Sequence, residues 1–232
     1  MKYKNIKEAK FIARPNRFIA HIEIEGKEEI CHVKNTGRCK ELLIPNTTVF
    51  VQEVESKNRK TKYDLITVKK GERLINIDSQ VPNKVFHEWV RDSNYFKGIR
   101  IIKPEYKYKN SRFDFFMENE SRKILVEVKG VTLEKEGVAL FPDAPTERGI
   151  KHLNELVQSL QEGYEAYVVF IIQMKDILYF SPNYETHRAF AEALIRAEKQ
   201  GVRIIALDCQ VGTDFIQARN FVEVRLEETM ED

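Results

Sequence analysis

Ser111-Arg112-Phe113-Asp114-Phe115-Phe116-Met117-Glu118 is followed by Asn119-Glu120-Ser121-Arg122 and then by Lys123-Ile124-Leu125-Val126-Glu127-Val128-Lys129. Two apolar-rich runs around a short polar turn read as a β-hairpin. With residues 119–122 as the turn, Glu118 opposes Lys123. Counting away from the turn, Asp114 opposes Glu127 and Arg112 opposes Lys129. Cross-strand partners share a face, and the alternation of a strand puts Lys129 beside Glu127. The other face reads Phe113, Phe115 and Met117 against Val128, Val126 and Ile124. The hairpin is expected to give one apolar face to the core and to gather Asp114, Glu127 and Lys129 on the other.

Two carboxylates held directly opposite each other repel unless a cation sits between them. Hard oxygen donors of this kind suit Mg²⁺ or Mn²⁺, ions that keep several waters. Such an ion lowers the pKa of a bound water and stabilises charge on a phosphate under attack, and the neighbouring lysine can orient that water. This is the Asp…Glu-x-Lys logic of the restriction-endonuclease-like, PD-(D/E)xK, nucleases. The plain alternative is a solvated strand face, because Glu-x-Lys is common on strands.

Outward from the hairpin the chain is mixed α/β. Asn83 is read as the cap of a helix carrying Val85, Phe86, Trp89 and Val90, and Glu88 on that helix is a further candidate metal ligand. Strand patterns fall at Ile99–Ile102, Ala166–Gln173, Val202–Asp208 and Asn220–Leu226. Thr146–Glu162 is a strongly amphipathic helix with Thr146 as its cap, and Tyr184–Gln200 is another. Three helices around a sheet are expected. The loop Phe141-Pro142-Asp143-Ala144-Pro145 leads into the first of these two helices. Arg148, Lys151 and His152 in its opening turns can hold a phosphate, and His152 can move a proton. Gln173 reads best as a polar residue closing a buried strand.

The first third reads as strands: Phe18–Ile24, Glu28–Val33, Thr48–Val54, Tyr63–Val68 and Leu74–Ile77. Five short strands in 80 residues indicate a small barrel or sandwich. Three basic elements punctuate it: Arg14 and Arg17; Asn35-Thr36-Gly37-Arg38; and Lys57-Asn58-Arg59-Lys60-Thr61-Lys62. Basic loops on a small barrel suit single-stranded nucleic acid, with Phe18 or Tyr63 as stacking partners, although short charge runs are usually solvated loops.

The totals set limits. The 232 residues carry 38 Lys and Arg against 36 Asp and Glu, a net charge of +2, so any phosphate-binding surface must come from local segregation of charge. Three cysteines without a Cys-x-x-Cys pair speak against a disulfide scaffold and a zinc ribbon. The longest apolar run, Ala166–Ile172, is far short of the roughly 20 residues a membrane helix needs. No leader is visible at the start, and a cytoplasmic protein without membrane contact is expected.

Several segments together resemble the sugar fermentation stimulation protein A family. They are Arg14-Pro15-Asn16-Arg17-Phe18, Asn35-Thr36-Gly37-Arg38, Ser111-Arg112-Phe113-Asp114-Phe115, Glu127-Val128-Lys129-Gly130-Val131-Thr132-Leu133, and Phe141–Gly149 with Lys151-His152-Leu153. The resemblance implies an OB-like β-barrel over residues 1–80 and a restriction-endonuclease-like domain over 81–232. It also implies DNA binding and a role in regulating sugar-utilisation genes. In that domain class the Asp and Glu hold metal and the Lys is catalytic, which maps onto Asp114, Glu127 and Lys129. The proline that often precedes the Asp in such nucleases is Phe113 here.

The resulting expectation is a Mg²⁺- or Mn²⁺-dependent phosphodiesterase acting on nucleic acid, DNA ahead of RNA. Asp114 and Glu127 hold metal, with Glu88 and the Val128 carbonyl in support. Lys129 and His152 act on the water and phosphate, and Arg14, Arg17, Asn35, Arg38 and Arg148 hold the strand. Two rivals stand beside it. One is a DNA-binding regulator that keeps the fold without cutting; the other is an interaction protein with a metal-stabilised patch. Oligomers are compatible with either.

Overall fold

A computed structural model describes residues 1–35, 37–55 and 59–228. Thr36, Lys57 and Asn58, which belong to two of the basic elements named above, lie outside the described residues.

Six strands form the first unit: β1 (Ile6–Asn16), β2 (Ile19–Ile24), β3 (Lys27–Val33), β4 (Thr48–Glu53), β5 (Tyr63–Lys70) and β6 (Arg73–Asn76). They pair in the order β3-β2-β1-β4-β5-β6, and a further parallel pairing of β3 with β5 closes five of them into an OB-like barrel. The β2–β3 turn uses two left-handed residues, Glu25 and Gly26, the backbone a two-residue hairpin needs. Strand β1 escapes the sequence pattern because Ala9 and Phe11 alone are buried among its charged residues. Pairing on both edges, with β2 and β4, makes it a strand.

The second unit follows as α1 (Val81–Asp92), β7 (Ile101–Tyr108), β8 (Ser111–Glu118), β9 (Lys123–Val131), β10 (Leu133–Lys135), β11 (Val138–Phe141), α2 (Glu147–Gln161), β12 (Tyr164–Ile172), β13 (Tyr179–Pro182), α3 (Tyr184–Lys199), β14 (Arg203–Val211) and β15 (Ile216–Val224). Its nine strands run in the order β10-β11-β13-β15-β14-β12-β9-β8-β7. The central three, β14, β12 and β9, are parallel and buried on both faces. Their residues alternate between two cores. Leu125, Val168 and Phe170 pack with Leu153 and Leu156 of α2 and Phe190 and Leu194 of α3. Ile124, Val126, Tyr167 and Val169 pack with Val85, Phe86 and Trp89 of α1. Burying each such side chain contributes about 1.5–3 kcal/mol. No helix among the described residues is long and apolar enough to cross a membrane, and the three cysteines are free and buried.

Helix α1 starts at Val81 with Pro82 in its first turn, three residues ahead of the expected start, so Asn83 lies inside the helix and caps nothing. Helix α2 is capped by Thr146, whose hydroxyl accepts from the Gly149 N–H at 3.1 Å.

The decisive hairpin is present in the expected register, from Glu118 against Lys123 to Phe115 against Val126. Its two faces differ from the expectation. Both are covered, because the hairpin lies in a sheet with helices on either side; Phe116 and Leu125 are buried on the face that carries Glu127. Phe113 also joins that core, while Phe115, two residues on, joins the α1 core. Strand β8 therefore rolls over at Asp114. The neighbouring strand rolls at the same level, where Glu105 takes a left-handed φ of 52°. Beyond this point β8 stays with β7 and leaves β9, so Arg112 opposes Lys107 and not Lys129.

The two units are latched together. The buried Gln173 side-chain amide, at the end of β12, donates to the Asn76 carbonyl and side-chain oxygens at 3.0 Å and to the Asp78 carbonyl at 3.1 Å. Its main-chain carbonyl accepts from the Asn76 N–H at 3.0 Å. Lys70 and Arg73 at the end of the barrel pair with Glu134. A Cβ on Gly37 would collide with the Asp143 carboxylate, so the barrel backbone at Gly37 lies directly on the loop that opens α2.

Candidate metal and phosphate site

Where β8 parts from β9 the ladder leaves backbone groups to be satisfied, and Asp114 satisfies one. Its Oδ2 accepts from the Val128 N–H at 2.8 Å, and its Oδ1 accepts from the Asn83 amide of α1 at 2.7 Å. The N–H and C=O of one strand residue leave the same edge, so the Val128 carbonyl also faces the fork. Glu127 points to the α2 side and is 4% exposed. Its Oε1 receives both the Lys129 ammonium and the His152 Nδ1–H, each at 2.5 Å. On the far side of the ring, the Arg148 Nε–H approaches His152 Nε2 at 3.4 Å, an arrangement that fits the proton on Nδ1. Phe113 packs edge-on against the His152 ring.

The two carboxylates are in unequal states. Burial pushes the Asp114 carboxyl up from its ordinary value, and the charge of Glu127 adds to the push. Burial acts on Glu127 in the same direction, but the His152 hydrogen bond and the Lys129 charge outweigh it and hold that carboxyl low. Glu127 thus has the closer positive charge, and Asp114 feels Lys129 only at longer range. The second oxygen of Glu127, Oε2, is buried and has no hydrogen-bond partner among the described residues. An orphaned carboxylate oxygen, a carboxyl held above its ordinary range and a carbonyl at one fork fit a divalent cation. No group of three or more His, Cys, Asp or Glu placed to hold a metal ion among themselves occurs among the described residues. A donor set this sparse and all of oxygen suits an ion that retains water, such as Mg²⁺ or Mn²⁺.

The structure brings Asp114, Glu127, Val128, Lys129, His152 and Arg148 together. It does not bring Glu88, whose carboxylate lies against the Met1 amino group on the opposite flank of α1. Asn83, one of α1's first residues, is what reaches the fork; the signal available in the sequence was an amide one turn into a helix that precedes the hairpin.

The barrel residues divide. Arg14 is a scaffold: its guanidinium donates to the carbonyls of Asn35, Gly37, Arg38 and Arg17 at 2.6–2.9 Å. Asn35 is buried, donating to the Ile77 carbonyl at 3.0 Å and accepting from the Gly37 N–H at 2.7 Å. Both hold the loop in shape, and the one Arg14 donor left over, Nε, is buried. Arg38 is exposed on that loop, and Arg17 is exposed on the β1–β2 turn beside the exposed ring of Phe18. Tyr63 is buried and cannot stack on a base. In the third basic element Arg59 is paired with Asp64 and Lys62 with Glu53, which is the behaviour of a structural loop.

An OB-type barrel latched to a restriction-endonuclease-like domain defines the class of protein. Residues 12–77 match the family model described as the SfsA N-terminal OB domain, and residues 80–215 match that of the sugar fermentation stimulation protein RE domain. The chain belongs to the sugar fermentation stimulation protein (SfsA) family. It is 68% identical over 228 residues to the homolog from Desulfitobacterium hafniense, covering 98% of this chain and all of that one. With the Clostridium beijerinckii homolog it shares 60% over 226 residues, 97% of this chain and all of the relative. Among solved structures it is similar to Pyrococcus furiosus SfsA in complex with Ca²⁺, with a TM-score of 0.88 and 29% identity over 97% of this chain and 98% of that one.

Proposed function

We propose that this protein binds nucleic acid and cuts its phosphodiester backbone with the help of a divalent cation. The observation that carries this reading is the unpartnered, buried Oε2 of Glu127 beside an Asp114 carboxyl that burial and Glu127 push up. That arrangement is costly unless a cation completes it. The Ca²⁺ complex of the Pyrococcus furiosus relative supports a divalent ion in this family. Asp114 and Glu127 would hold the ion, with the Val128 carbonyl available beside them. Bound there, the ion would supply a water of lowered pKa and charge to stabilise a phosphate under attack. Asn83 and the Val128 N–H fix the Asp114 carboxylate. Lys129 stands where it can orient the attacking water, and His152 holds the Glu127 carboxylate and links it to Arg148. The exposed Arg148, with Arg17 on the β1–β2 turn and Arg38 beyond β3, would meet the strand.

A second reading has its own observation. Lys129 and His152 both sit on Glu127 Oε1 and compensate that carboxylate without any ion. A site satisfied in this way serves a binder that does not cut. Labelled single- and double-stranded DNA and RNA, incubated with Mg²⁺, Mn²⁺ or chelator, separate the two. Wild type is compared with Asp114→Ala and Lys129→Ala. Metal-dependent cutting lost in both variants is the expected result. Retention of nucleic acid without cutting any substrate sinks the phosphodiesterase and leaves the binder.

A further inference from the structure

The segment from Lys97 to Arg112 holds six basic residues against one acidic, Glu105, in a chain whose net charge is only +2. It covers β7, the free edge strand of the nine-stranded sheet, and the start of β8. The outer half of this hairpin, Tyr106–Phe113, extends past the last β8–β9 pair as a two-stranded arm beside the fork. One face of the arm is spent on packing. Tyr108 and Phe113 are buried there, Tyr106 stacks on Phe116, and the Lys151 ammonium of α2 donates to the Asn110 carbonyl at the tip.

The other face carries Lys107 and Arg112, which are direct cross-strand partners and both exposed. Like charges directly opposite each other on a sheet are destabilising. Lys107 has no ionic partner among the described residues, and Arg112 meets Glu105 alone, at 3.2 Å with both side chains in water. Such an exposed pair is weak and gives way to a better anion. Lys109 and Lys151 are set aside, since Lys109 pairs with Glu162 at 2.5 Å and Lys151 already donates to the Asn110 carbonyl. Arg112 stands two residues from Asp114, about 7 Å along the strand.

We propose that the Lys107–Arg112 pair on the β7–β8 arm is a phosphate grip, holding the nucleic-acid backbone on the side of the scissile phosphate away from the barrel. The inference rests on the reading of the fork as a nucleic-acid site. It makes the substrate pass between two holds. The barrel segment with Arg38 lies ahead of the N-terminal end of α2, where Gly37 meets Asp143, and the arm lies further along α2, from Lys151 to Glu162. The grip takes phosphodiester backbone without regard to base, because it presents charge and no shaped edge.

The test is fluorescence anisotropy of labelled single-stranded and duplex DNA, without added metal, across a salt series. Wild type is compared with Lys107→Ala/Arg112→Ala and with Lys27→Ala/Lys69→Ala, two exposed cations on the barrel strands β3 and β5. Losing two phosphate contacts lowers the slope of log affinity against log salt by about 1.4 for single strands and about 1.8 for duplex. The fall in duplex affinity between about 50 and about 200 mM salt then shrinks roughly tenfold, with the control pair like wild type and the melting temperature unchanged. An arm variant that matches the control overturns the grip and leaves the proposed function standing. Failure of wild type to bind either nucleic acid overturns both.

Discussion

Gln173→Leu should cost this protein about 3 kcal/mol. The substitution keeps side-chain volume and removes only the amide. The Gln173 amide donates to three oxygens across the junction of the two units: the Asn76 carbonyl, the Asn76 side chain and the Asp78 carbonyl. At about 1 kcal/mol for each hydrogen bond the sum is about 3 kcal/mol, and more where an acceptor is left dry. In a chain of this length that corresponds to roughly 6–12 °C of melting temperature. Gly130→Ala should act on the same latch from the other side. Its new Cβ would stand 2.5 Å from Gln173 Oε1 and 2.7 Å from Pro82 Cγ, and the amide is the group with room to move. Urea unfolding followed by the single tryptophan, Trp89 of α1, reads both variants. If they share one mechanism, the double variant loses much less than the sum of the two. A loss under about 1 kcal/mol for Gln173→Leu, or full additivity of the pair, would refute the latch.

Two further outcomes follow from the fork. Because the Asp114 carboxyl is pushed above its ordinary value of 3.8, the metal-free protein loses stability from that group as pH rises from 3.8 through the folded value. Divalent ions should reverse this by raising the melting temperature at neutral pH, should do so less as the pH is lowered toward that range, and should do nothing in Asp114→Asn; an equal rise in the variant places the ion elsewhere. Glu127, held below its ordinary 4.5, contributes stability that is complete above 4.5 and lost as pH falls through the folded value. The difference in unfolding free energy between wild type and Glu127→Gln should therefore shrink on acidification, and a difference that stays constant with pH would contradict the ion pairs drawn here.

Much of the fork was legible in the sequence, because a hairpin has one arithmetic: once residues 119–122 are the turn, every pairing up to Phe115 and Val126 follows. The arithmetic failed one step later, at the roll in β8, since nothing in Phe113-Asp114-Phe115 says that the two phenylalanines enter different cores. Glu88 and Asn83 exchanged importance for a similar reason. Choosing between two polar residues on α1 needs the helix start, and Pro82 in the first turn marks it better than the asparagine that was read as a cap. Arg14 and Asn35 looked like strand-holding residues by type. What decides their role is the set of main-chain groups of Asn35, Gly37, Arg38 and Ile77 that they satisfy, and no count of charges contains it. Strands β10, β11 and β13 are three or four residues long, too short for a period to show.

The turn at 119–122 holds no group that touches the fork, yet it sets the length of the lever. The Asn119 side chain accepts from the main-chain N–H groups of Ser121 and Arg122, at 3.0 and 2.9 Å, and fixes that length at four residues. One residue more or fewer slides β9 along β8, and a slide of one exchanges the faces of every side chain on the strand. Glu127 would then look toward α1, away from His152. Deletion and insertion are thus a harsher matter here than any single substitution, and of the two ends of strand β8 it is the remote one whose length the chemistry cannot spare.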